Sequence, residues 1–400
     1  MFLPLRSATR RRRPVAEIVV VVLTAVLLGV AYRFDPQWVS RHVTLLNLWP
    51  PRDPEVWSTR GRGLLVLLAA LVVFGFRPAF RFLASRRSPT GGARSAVAAL
   101  LAIAAAAIVT EAVVGWMQAK RREGRAVYLL RGIPHPRYGW IWQPSSTLEE
   151  RALGRDLHWA FNREGDRVRN QDDEADPTLP TILFTGESYT LGLGLDYDET
   201  YPAMIARRSG LQCVNVAANA YGSDQAYLRL IDAMPRFQHV VATVTLFLPI
   251  QLSRNLHDDR SRLVLAPSGE LELVPAANDF LSRLKVRKLV RNELPYLGDE
   301  AIHRTLALTS AILRETSART HARGATPLFV IPSEGPRRSL DEHPEAWILR
   351  ELFVRQGLPF VLVDLPPDQL LRDHHPSPRG NETIAAAVLE ALGQDATVRR

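Results

Sequence analysis

Two separated clusters of polar residues hold the groups in this chain that could do chemistry. Gly186-Glu187-Ser188 follows an apolar run, and Asp373-His374-His375-Pro376 stands near the C-terminus. A serine hydroxyl is a weak nucleophile that needs a base, and an imidazole oriented by a carboxylate supplies one. The chain order, with the serine early and the Asp and His together and late, predicts acyl transfer. The acyl group would pass either to water or to another alcohol.

The residues before Ser188 predict a buried strand that ends beside it. The run 181–185 is short and apolar in character, and Pro180 and Gly186 bound it. Gly192 and Gly194 then form a turn that leads toward a helix. They lack the third glycine of a dinucleotide fingerprint, so they do not indicate a nucleotide site. Open α/β sheets bind ligands outside the carboxyl ends of their strands, which is where Ser188 would lie.

From residue 179 onward, strand-like runs alternate with helix-like segments. We predict strands at 181–185, 212–217, 239–248, 326–332 and 359–364, and helices at 199–209, 223–234, 300–321, 342–356 and 381–392. Such alternation is typical of a mostly parallel sheet with helices on both faces, which is a three-layer α/β/α sandwich.

Two segments depart from this alternation. Residues 253–298 are too long for a plain connection, so we interpret them as a lid or a substrate-binding insertion. Residues 118–178 mix prolines with aromatic residues, and we interpret them as a linker or a strand pair at the domain edge. The predicted hydrolase-like domain therefore covers 179–400.

The N-terminal third has a different composition and predicts a membrane anchor at 1–117. Its apolar runs lie at 18–32, 63–76 and 96–117. A helix needs about 20 apolar residues to cross a bilayer, so we predict about three transmembrane helices. A signal peptide is the alternative for the first run. The arginines at 10–13 favour a cytoplasmic N-terminus, which would place the C-terminal domain outside the cytoplasm.

Charge and cysteine content exclude several classes of site. The net charge of +9 is dominated by arginine and suits contact with anionic lipid head groups. The sequence shows no nucleic-acid-binding pattern, so we predict no nucleic-acid partner. Cys213 is the only cysteine, which excludes an internal disulfide and a thiolate zinc cluster. The Asp373, His374 and His375 cluster lacks a further metal ligand, so we predict no metal and no other cofactor.

These blocks resemble the SGNH (GDSL-like) hydrolase superfamily. Gly186-Glu187-Ser188 resembles the Gly-Asp-Ser block, with Glu in place of Asp. The cluster from Asp373 to Gly380 resembles the terminal Asp/His block, with the Asp two rather than three residues before the His. The segment 215–225 resembles the block that supplies an oxyanion-hole glycine, where this chain has Ala220. The third block, which normally contains an Asn, has no clear match after 239–248.

The resemblance implies a flavodoxin-like SGNH fold and a role for each matched residue. Ser188 would be the nucleophile, His375 the general base, and Asp373 the carboxylate that orients it. The backbone N–H groups of Ser188 and Ala220 would form the oxyanion hole. Asn255 would supply the missing side-chain donor, and the alternatives for that donor are Gln251 and Asn219.

Each residue also has an ordinary structural interpretation. Ser188 could cap the following helix, and His375 could be a solvated loop residue before Pro376. Asp373 could be a surface carboxylate paired with Arg372 or Arg379. Glu187 is interpreted as a carboxylate that stabilises the turn or the start of the helix.

The leading hypothesis is therefore a membrane-anchored serine esterase or O-acyltransferase that acts on an ester-bearing glycan or lipid of the cell envelope. The alternative is a catalytically silent SGNH-like domain that binds glycan or scaffolds an envelope assembly, and Ala220 and the unmatched third block favour it. A third hypothesis gives the function to the membrane spans. Glu111 is their only clearly embedded acid, which argues against an ion path.

Overall fold

The computed structural model describes residues 12–44, 54–76, 132–277, 296–335, 339–342 and 346–393. The chain divides into two compact units. One comprises Met1–Gln118 with Leu284–Tyr296, and the other comprises Ala119–Arg283 with Leu297–Arg400. The second unit contains both clusters of polar residues.

The N-terminal unit contains helices with exposed apolar surfaces. They are α1 (Arg12–Arg33), α2 (Pro36–Val39) and α3 (Pro54–Leu71), with π-helical turns at Ser40–Thr44 and Val72–Phe76. The chain bends between α1 and α2 because the residue before a proline disfavours helical backbone. Asp35 is extended there, and its carboxylate accepts a hydrogen bond from the Trp38 amide at 2.8 Å.

The number of candidate membrane spans is smaller than the sequence predicts. Among the described residues, Glu55–Phe74 is long and apolar enough to cross a membrane and is only 11% buried. Val20–Arg33 and Pro36–Val43 qualify only together, and the break between them bends the chain by 83°. About three spans is therefore corrected to one or two within the described residues. The predicted span at 96–117 lies outside them.

A mixed sheet of eight strands forms the centre of the second unit. Its five parallel strands are β6 (Thr181–Thr185), β7 (Gln212–Asn215), β8 (Val240–Leu246), β11 (Thr326–Glu334) and β12 (Phe360–Leu365). Its three antiparallel strands are β3 (Ser146–Ala152), β4 (Arg155–Phe161) and β5 (Arg167–Val168). The strands lie in the order β12-β11-β8-β6-β7-β5-β4-β3.

The antiparallel strands come from the segment that the sequence suggests is a linker or an edge strand pair. They extend the sheet beyond β7. A separate hairpin precedes them, formed by β1 (Gly132–His135) and β2 (Gly139–Trp142). The five parallel strands begin and end within a few residues of the predicted ones.

Helices cover both faces of the sheet. Alternate residues of a strand point to opposite faces. In β6, the Phe184 ring packs on Tyr201 of α5 (Tyr201–Ser209) at 5.6 Å between centroids. The next residue, Thr185, donates its hydroxyl to the Ala226 carbonyl of α6 (Ser223–Ala233) at 2.8 Å. These two helices therefore lie on opposite faces, as the three-layer prediction requires.

The remaining helices of this unit are α4 (Ser188–Leu191), α7 (Gln251–Arg254), α8 (Asp299–Ala322), α9 (Ala346–Leu349) and α10 (Pro378–Gly393). Three of them, α8, α9 and α10, lie at predicted positions, whereas α4 and α7 are short helices that the sequence does not predict. A π-helical turn at Arg350–Val354 extends α9. Contacts pair α6 with α8 and α5 with α10, so each face carries one helix pair.

A buried arginine joins the antiparallel strands to the turn that follows Ser188. Arg167 is 1% exposed, and its guanidinium stacks on Trp159 of β4 at 4.1 Å. It donates to the carbonyl oxygens of His158 at 2.9 Å and Leu195 at 3.3 Å. Burial lowers the pKa of Arg167 to about 9. The antiparallel extension thus supports the turn that follows α4.

The described part of the predicted insertion packs on the domain. It contains the hairpin formed by β9 (Arg262–Leu265) and β10 (Leu271–Val274). Leu263 is 3% exposed and belongs to a buried cluster that includes Tyr221 and Leu308. The rest of the predicted lid, residues 278–295, lies outside the described residues.

Candidate active site

Ser188 is the first residue of α4, directly after a sharp turn at the carboxyl end of β6. Gly186 makes this turn at φ 147°. A Cβ at Gly186 would lie 2.6 Å from the Thr190 hydroxyl and 3.0 Å from the Leu246 side chain, so the turn requires glycine. The strand ends and the helix begins within three residues, which places the Ser188 hydroxyl at the edge of the sheet.

The structure brings the two polar clusters together. Ser188 Oγ lies 3.0 Å from His375 Nε2, although the two residues are 187 positions apart in the chain. His375 Nδ1 lies 3.1 Å from Asp373 Oδ2, an ion-pair contact in which the ring N–H is not aligned on the oxygen. A proton on Nδ1 leaves Nε2 as the acceptor that faces the serine. This arrangement suits a general base.

A tight loop allows Asp373 and His375 to reach the same site with one residue between them. The His374 amide donates to the Leu371 carbonyl at 2.8 Å, and the Leu371 amide donates to the His375 carbonyl at 2.7 Å. The His375 amide donates to Asp373 Oδ1 at 3.3 Å. His374 itself adopts the left-handed conformation, with φ 65°. The loop thereby turns both side chains inward.

Glu187 contacts the nucleophile directly. It is 2% exposed, and its Oε2 accepts hydrogen bonds from Ser188 Oγ at 2.8 Å and from Arg254 Nη1 at 3.1 Å. The serine hydroxyl has one proton, so it can donate to Glu187 or to His375 but not to both at once. The sequence interpretation gave Glu187 a role in the turn. That role is present, since its Oε1 accepts from the Tyr189 amide at 3.3 Å.

Opposing effects set the pKa of Glu187. Burial raises it, because a carboxylate loses its hydration. The positive charge of Arg254, the nearby His375 and the hydrogen bond from Ser188 lower it, and together they outweigh burial. The pKa of Glu187 is therefore below its ordinary value. The group beside the nucleophile is a carboxylate at neutral pH.

Sequence reasoning missed Arg254. A buried carboxylate requires a cation, so Glu187 in a buried turn indicates that some arginine or lysine must reach it. Nothing in the spacing shows which one. The structure shows that Arg254, the last residue of α7, also donates through Nη1 to the Tyr221 carbonyl at 3.1 Å. Arg254 thus connects the end of α7 with the turn before α4, through Glu187, and with the loop before α6, through Tyr221.

Two backbone amides are available for an oxyanion hole. Within the described part of the chain, the amides of Ser188 and Ala220 donate no hydrogen bond to a protein group. Ala220 is exposed and adopts φ 60°, a conformation in which the glycine of the resembling block would be unstrained. Alanine at this position keeps the backbone N–H donor, but its backbone conformation is strained.

Asn255, which the resemblance implies as the side-chain donor of the oxyanion hole, donates its amide protons elsewhere. It is 1% exposed, and its amide nitrogen donates to Ser223 Oγ at 3.0 Å and Thr309 Oγ1 at 2.8 Å. Both amide protons are therefore engaged in holding α6 and α8. Gln251 is also buried, with its amide nitrogen 3.4 Å from the Leu246 carbonyl. We therefore leave both side chains out of the proposed oxyanion hole.

The strain at Ala220 leads to a stability prediction. We expect Ala220→Gly to stabilise the protein by about 1 kcal/mol, because an L side chain in the left-handed region costs about 1–2 kcal/mol and glycine removes that cost. Urea unfolding measures the change. Ala276→Gly is a matched control at an exposed residue outside the left-handed region, and we expect it to destabilise. A loss of stability in both variants would contradict the assignment of strain at Ala220.

Comparisons with known proteins complete the description of the site. No family model matches the chain. No curated protein matches it either. Solved structures do match, among them a member of the lipolytic protein G-D-S-L family from Veillonella parvula DSM 2008. That match has 10% identity and a TM-score of 0.31, and it covers 54% of this chain and 99% of the other.

Two further structures give similar values. The acetyl xylan esterase Est2A from Butyrivibrio proteoclasticus has 10% identity and a TM-score of 0.33, over 56% of this chain and 66% of the other. The psychrotrophic esterase EstA from Pseudoalteromonas sp. has 15% identity and a TM-score of 0.30, over 54% and 97%. Because these TM-scores and identities are low, the likeness by itself assigns neither a family nor a reaction.

Proposed function

We propose that this protein is a serine esterase or O-acyltransferase of the SGNH type, with Ser188 as nucleophile, His375 as general base and Asp373 as the carboxylate that orients the base. The observation that carries the proposal is the continuous contact from Ser188 Oγ to His375 Nε2 at 3.0 Å and from His375 Nδ1 to Asp373 Oδ2 at 3.1 Å. It lies at the carboxyl edge of the parallel strands, where such sheets bind ligands.

The reaction would proceed through an acyl-enzyme. Ser188 Oγ attacks the ester carbonyl carbon while its proton moves to His375 Nε2. The carbonyl oxygen becomes an oxyanion and accepts hydrogen bonds from the amides of Ser188 and Ala220. The tetrahedral intermediate expels the alcohol, which takes the proton from His375. Water or an acceptor hydroxyl then attacks the acyl-enzyme while its proton moves to His375. The second tetrahedral intermediate breaks its bond to Ser188 Oγ, which takes the proton back from His375, and the free acid or the new ester is released.

The N-terminal helices support a location at a membrane. The exposed apolar side chains of α1 and α3 need an apolar partner, and a bilayer supplies one. The arginines at 10–13 favour a cytoplasmic N-terminus. The proposal therefore includes a membrane-anchored enzyme with an odd number of spans, which places its catalytic domain outside the cytoplasm, and an ester-bearing glycan or lipid of the envelope as the substrate class.

Covalent labelling tests the proposed function. We expect the full-length protein in detergent to react with a fluorophosphonate and to gain one phosphonyl group on the peptide that contains Ser188, as mass spectrometry would show. The activated hydroxyl displaces the fluoride, and His375 accepts the proton. A folded protein that gains no adduct at any pH between about 7.5 and 9, where an ordinary imidazole is largely neutral, would contradict the proposal.

Product analysis separates hydrolysis from transfer. With an activated ester and an added sugar alcohol, an esterase releases the free acid and a transferase forms the new ester.

The alternative function is a catalytically silent glycan-binding domain. It is favoured by the contact of the Ser188 hydroxyl with Glu187 and by the lack of a side-chain oxyanion donor at Asn255. Glycan binding without any phosphonate adduct would support it.

A further inference from the structure

The residue between the orienting carboxylate and the base occupies an unusual backbone conformation. His374 has φ 65°, in the left-handed region that L side chains rarely adopt. The turn needs this conformation because only one residue separates Asp373 from His375. A strained residue persists only where its surroundings fix it, so the contacts of His374 decide whether the loop keeps its shape.

Besides the hydrogen bond within its own loop, His374 has a side-chain contact and a backbone contact with other elements. Its Nδ1 lies 3.3 Å from Oε2 of Glu334, the last residue of β11. Its carbonyl oxygen accepts a hydrogen bond from the Tyr189 hydroxyl at 3.1 Å. Burial raises the pKa of Tyr189 well above its ordinary value, so the hydroxyl remains a donor at every relevant pH.

Both contacts come from elements that also build the site. β11 pairs in parallel with β12 as far as Glu334, which lies opposite Leu365, whereas its pairing with β8 ends at Val330, so Glu334 projects from a strand end that β12 holds. Tyr189 follows the nucleophile in α4, and its ring packs edge-on against the His375 ring at 5.5 Å. The end of β11, through Glu334, and α4, through Tyr189, thus both hold the loop that contains His374.

We propose that His374 and Glu334 are positioning residues, which hold the Asp373–His375 loop in the conformation that aims His375 at Ser188. The inference rests on the proposed function, because it gives the pair a role in the same reaction. Neither residue needs to touch the substrate. Their contribution is to keep the base within hydrogen-bond distance of the nucleophile.

The pair also has an electrostatic consequence for the base. Glu334 is close enough to His375 for the two charges to interact. The imidazole becomes positively charged when it takes the serine proton, and a nearby negative charge stabilises that charge. Among the described residues, the other charged or titratable groups around His375 are Asp373 on its own loop, Glu187 and Tyr189 at the start of α4, Arg254 behind Glu187, and His374.

Removing the charge of Glu334 should therefore lower kcat while leaving substrate binding intact. With Glu334→Gln, the contact that holds His374 loses its charge, and we expect kcat to fall with little change in KM. A residue with a purely structural role would lower the thermal unfolding midpoint and would change kcat and KM together. The split between kcat and KM is thus the readout that distinguishes positioning of the base from general support of the fold.

The experiment compares four variants of the full-length protein: Glu334→Gln, His374→Ala, His374→Asn and His374→Gly. We expect His374→Ala to lower kcat and the rate of fluorophosphonate labelling about 10- to 100-fold, with little change in KM, because a misplaced base costs rate rather than substrate binding. Asn adopts left-handed backbone readily, and its amide can donate to Glu334, so His374→Asn should retain more activity than His374→Ala.

A matched pair elsewhere provides the control. His158 and Glu149 form a similar contact, at 2.5 Å between Nδ1 and Oε1, on exposed positions of β4 and β3. His158→Ala should leave both kcat and KM unchanged. The thermal unfolding midpoint of each variant shows that the protein is folded, and Glu334→Gln keeps the test decisive if His374→Ala does not fold.

The outcomes separate the two proposals. If the wild-type protein forms no phosphonate adduct, the proposed function fails before any variant is compared. If the wild type reacts but Glu334→Gln keeps the wild-type kcat, the positioning role is overturned. Wild-type activity in His374→Gly would also overturn it, because glycine adopts the turn without strain and lacks the contact with Glu334.

Discussion

Replacing Ser188 with alanine is expected to lower kcat/KM for an activated ester by at least about 10⁴-fold, the scale on which loss of the nucleophile acts in serine hydrolases. The alanine has no oxygen to form the acyl-enzyme. The residual rate would come from substrate binding and from the amides of the oxyanion hole, which the substitution leaves in place. Steady-state ester hydrolysis, read by the release of a chromogenic alcohol, measures the loss.

His375 should act in the same reaction step as Ser188. We expect His375→Ala to lose activity on the same scale, and the double variant to lose little more than either single one, because the serine and the base act in one step. Ser209→Ala is the matched control, since Ser209 lies at the exposed end of α5 and its hydroxyl donates to the Ile205 carbonyl. Independent, multiplying losses for Ser188 and His375 would contradict a shared mechanism.

Ester hydrolysis at the wild-type rate in Ser188→Ala would contradict the role of Ser188 as nucleophile. If Ser188→Ala hydrolyses the ester as fast as wild type, the reaction takes place at another group and the contact between Ser188 and His375 is structural. The buried contact of Ser188 with Glu187 would then be sufficient reason for a serine at this position. Folding of the variant is verified by circular dichroism, so that loss of activity is not confused with loss of structure.

The parallel strands could be predicted because local signals mark their ends. For β6, Pro180 and Gly186 bound a run whose five residues are all buried, and the observed strand covers the predicted range. The antiparallel strands lack such a signal. In β3 and β4, buried positions include Glu150, which accepts a hydrogen bond from Trp159 Nε1 at 3.2 Å. A charged residue on the inward face obscures the alternation that would identify a strand.

In the site too, some residues could be predicted from short stretches of sequence, whereas others depend on the tertiary structure. Ser188, Asp373 and His375 stand in short blocks that resemble known ones, and the structure places them together. The partner of Glu187 depends on how α7 is oriented, which the chain does not show locally. Successive residues of a helix point about 100° apart, so when Arg254 faces Glu187, Asn255 must face elsewhere. Asn255 accordingly contacts Ser223 and Thr309.

The orientation of α7 depends on a second buried ion pair. Asp224, in the first turn of α6, is 0% exposed and binds Arg260 through both carboxylate oxygens at 2.8 and 2.9 Å. Arg260 also donates to the Arg254 carbonyl at 2.8 Å. The pair therefore fixes the end of α7, from which Arg254 reaches the carboxylate beside the nucleophile.

Breaking this pair should have the largest effect on stability. We expect Asp224→Ala to lower the free energy of unfolding by about 3–5 kcal/mol, because it leaves the Arg260 guanidinium buried without its counter-charge. Urea unfolding of the full-length protein, followed by tryptophan fluorescence, measures the change. The exposed pair of Arg151 and Asp156, at 3.8 Å, provides the control, and Asp156→Ala should change the free energy by less than about 1 kcal/mol.

A double substitution shows whether the loss comes from the uncompensated charge. Asp224→Leu with Arg260→Met removes both charges, and replacing a buried pair with apolar side chains is often neutral or stabilising. We expect the double variant to recover most of the stability lost in Asp224→Ala. It also loses the hydrogen bond that Arg260 donates to the Arg254 carbonyl, so Arg254 is less firmly held and ester hydrolysis should stay below the wild-type rate. Recovery of stability together with full activity would show that Arg254 reaches Glu187 without this support.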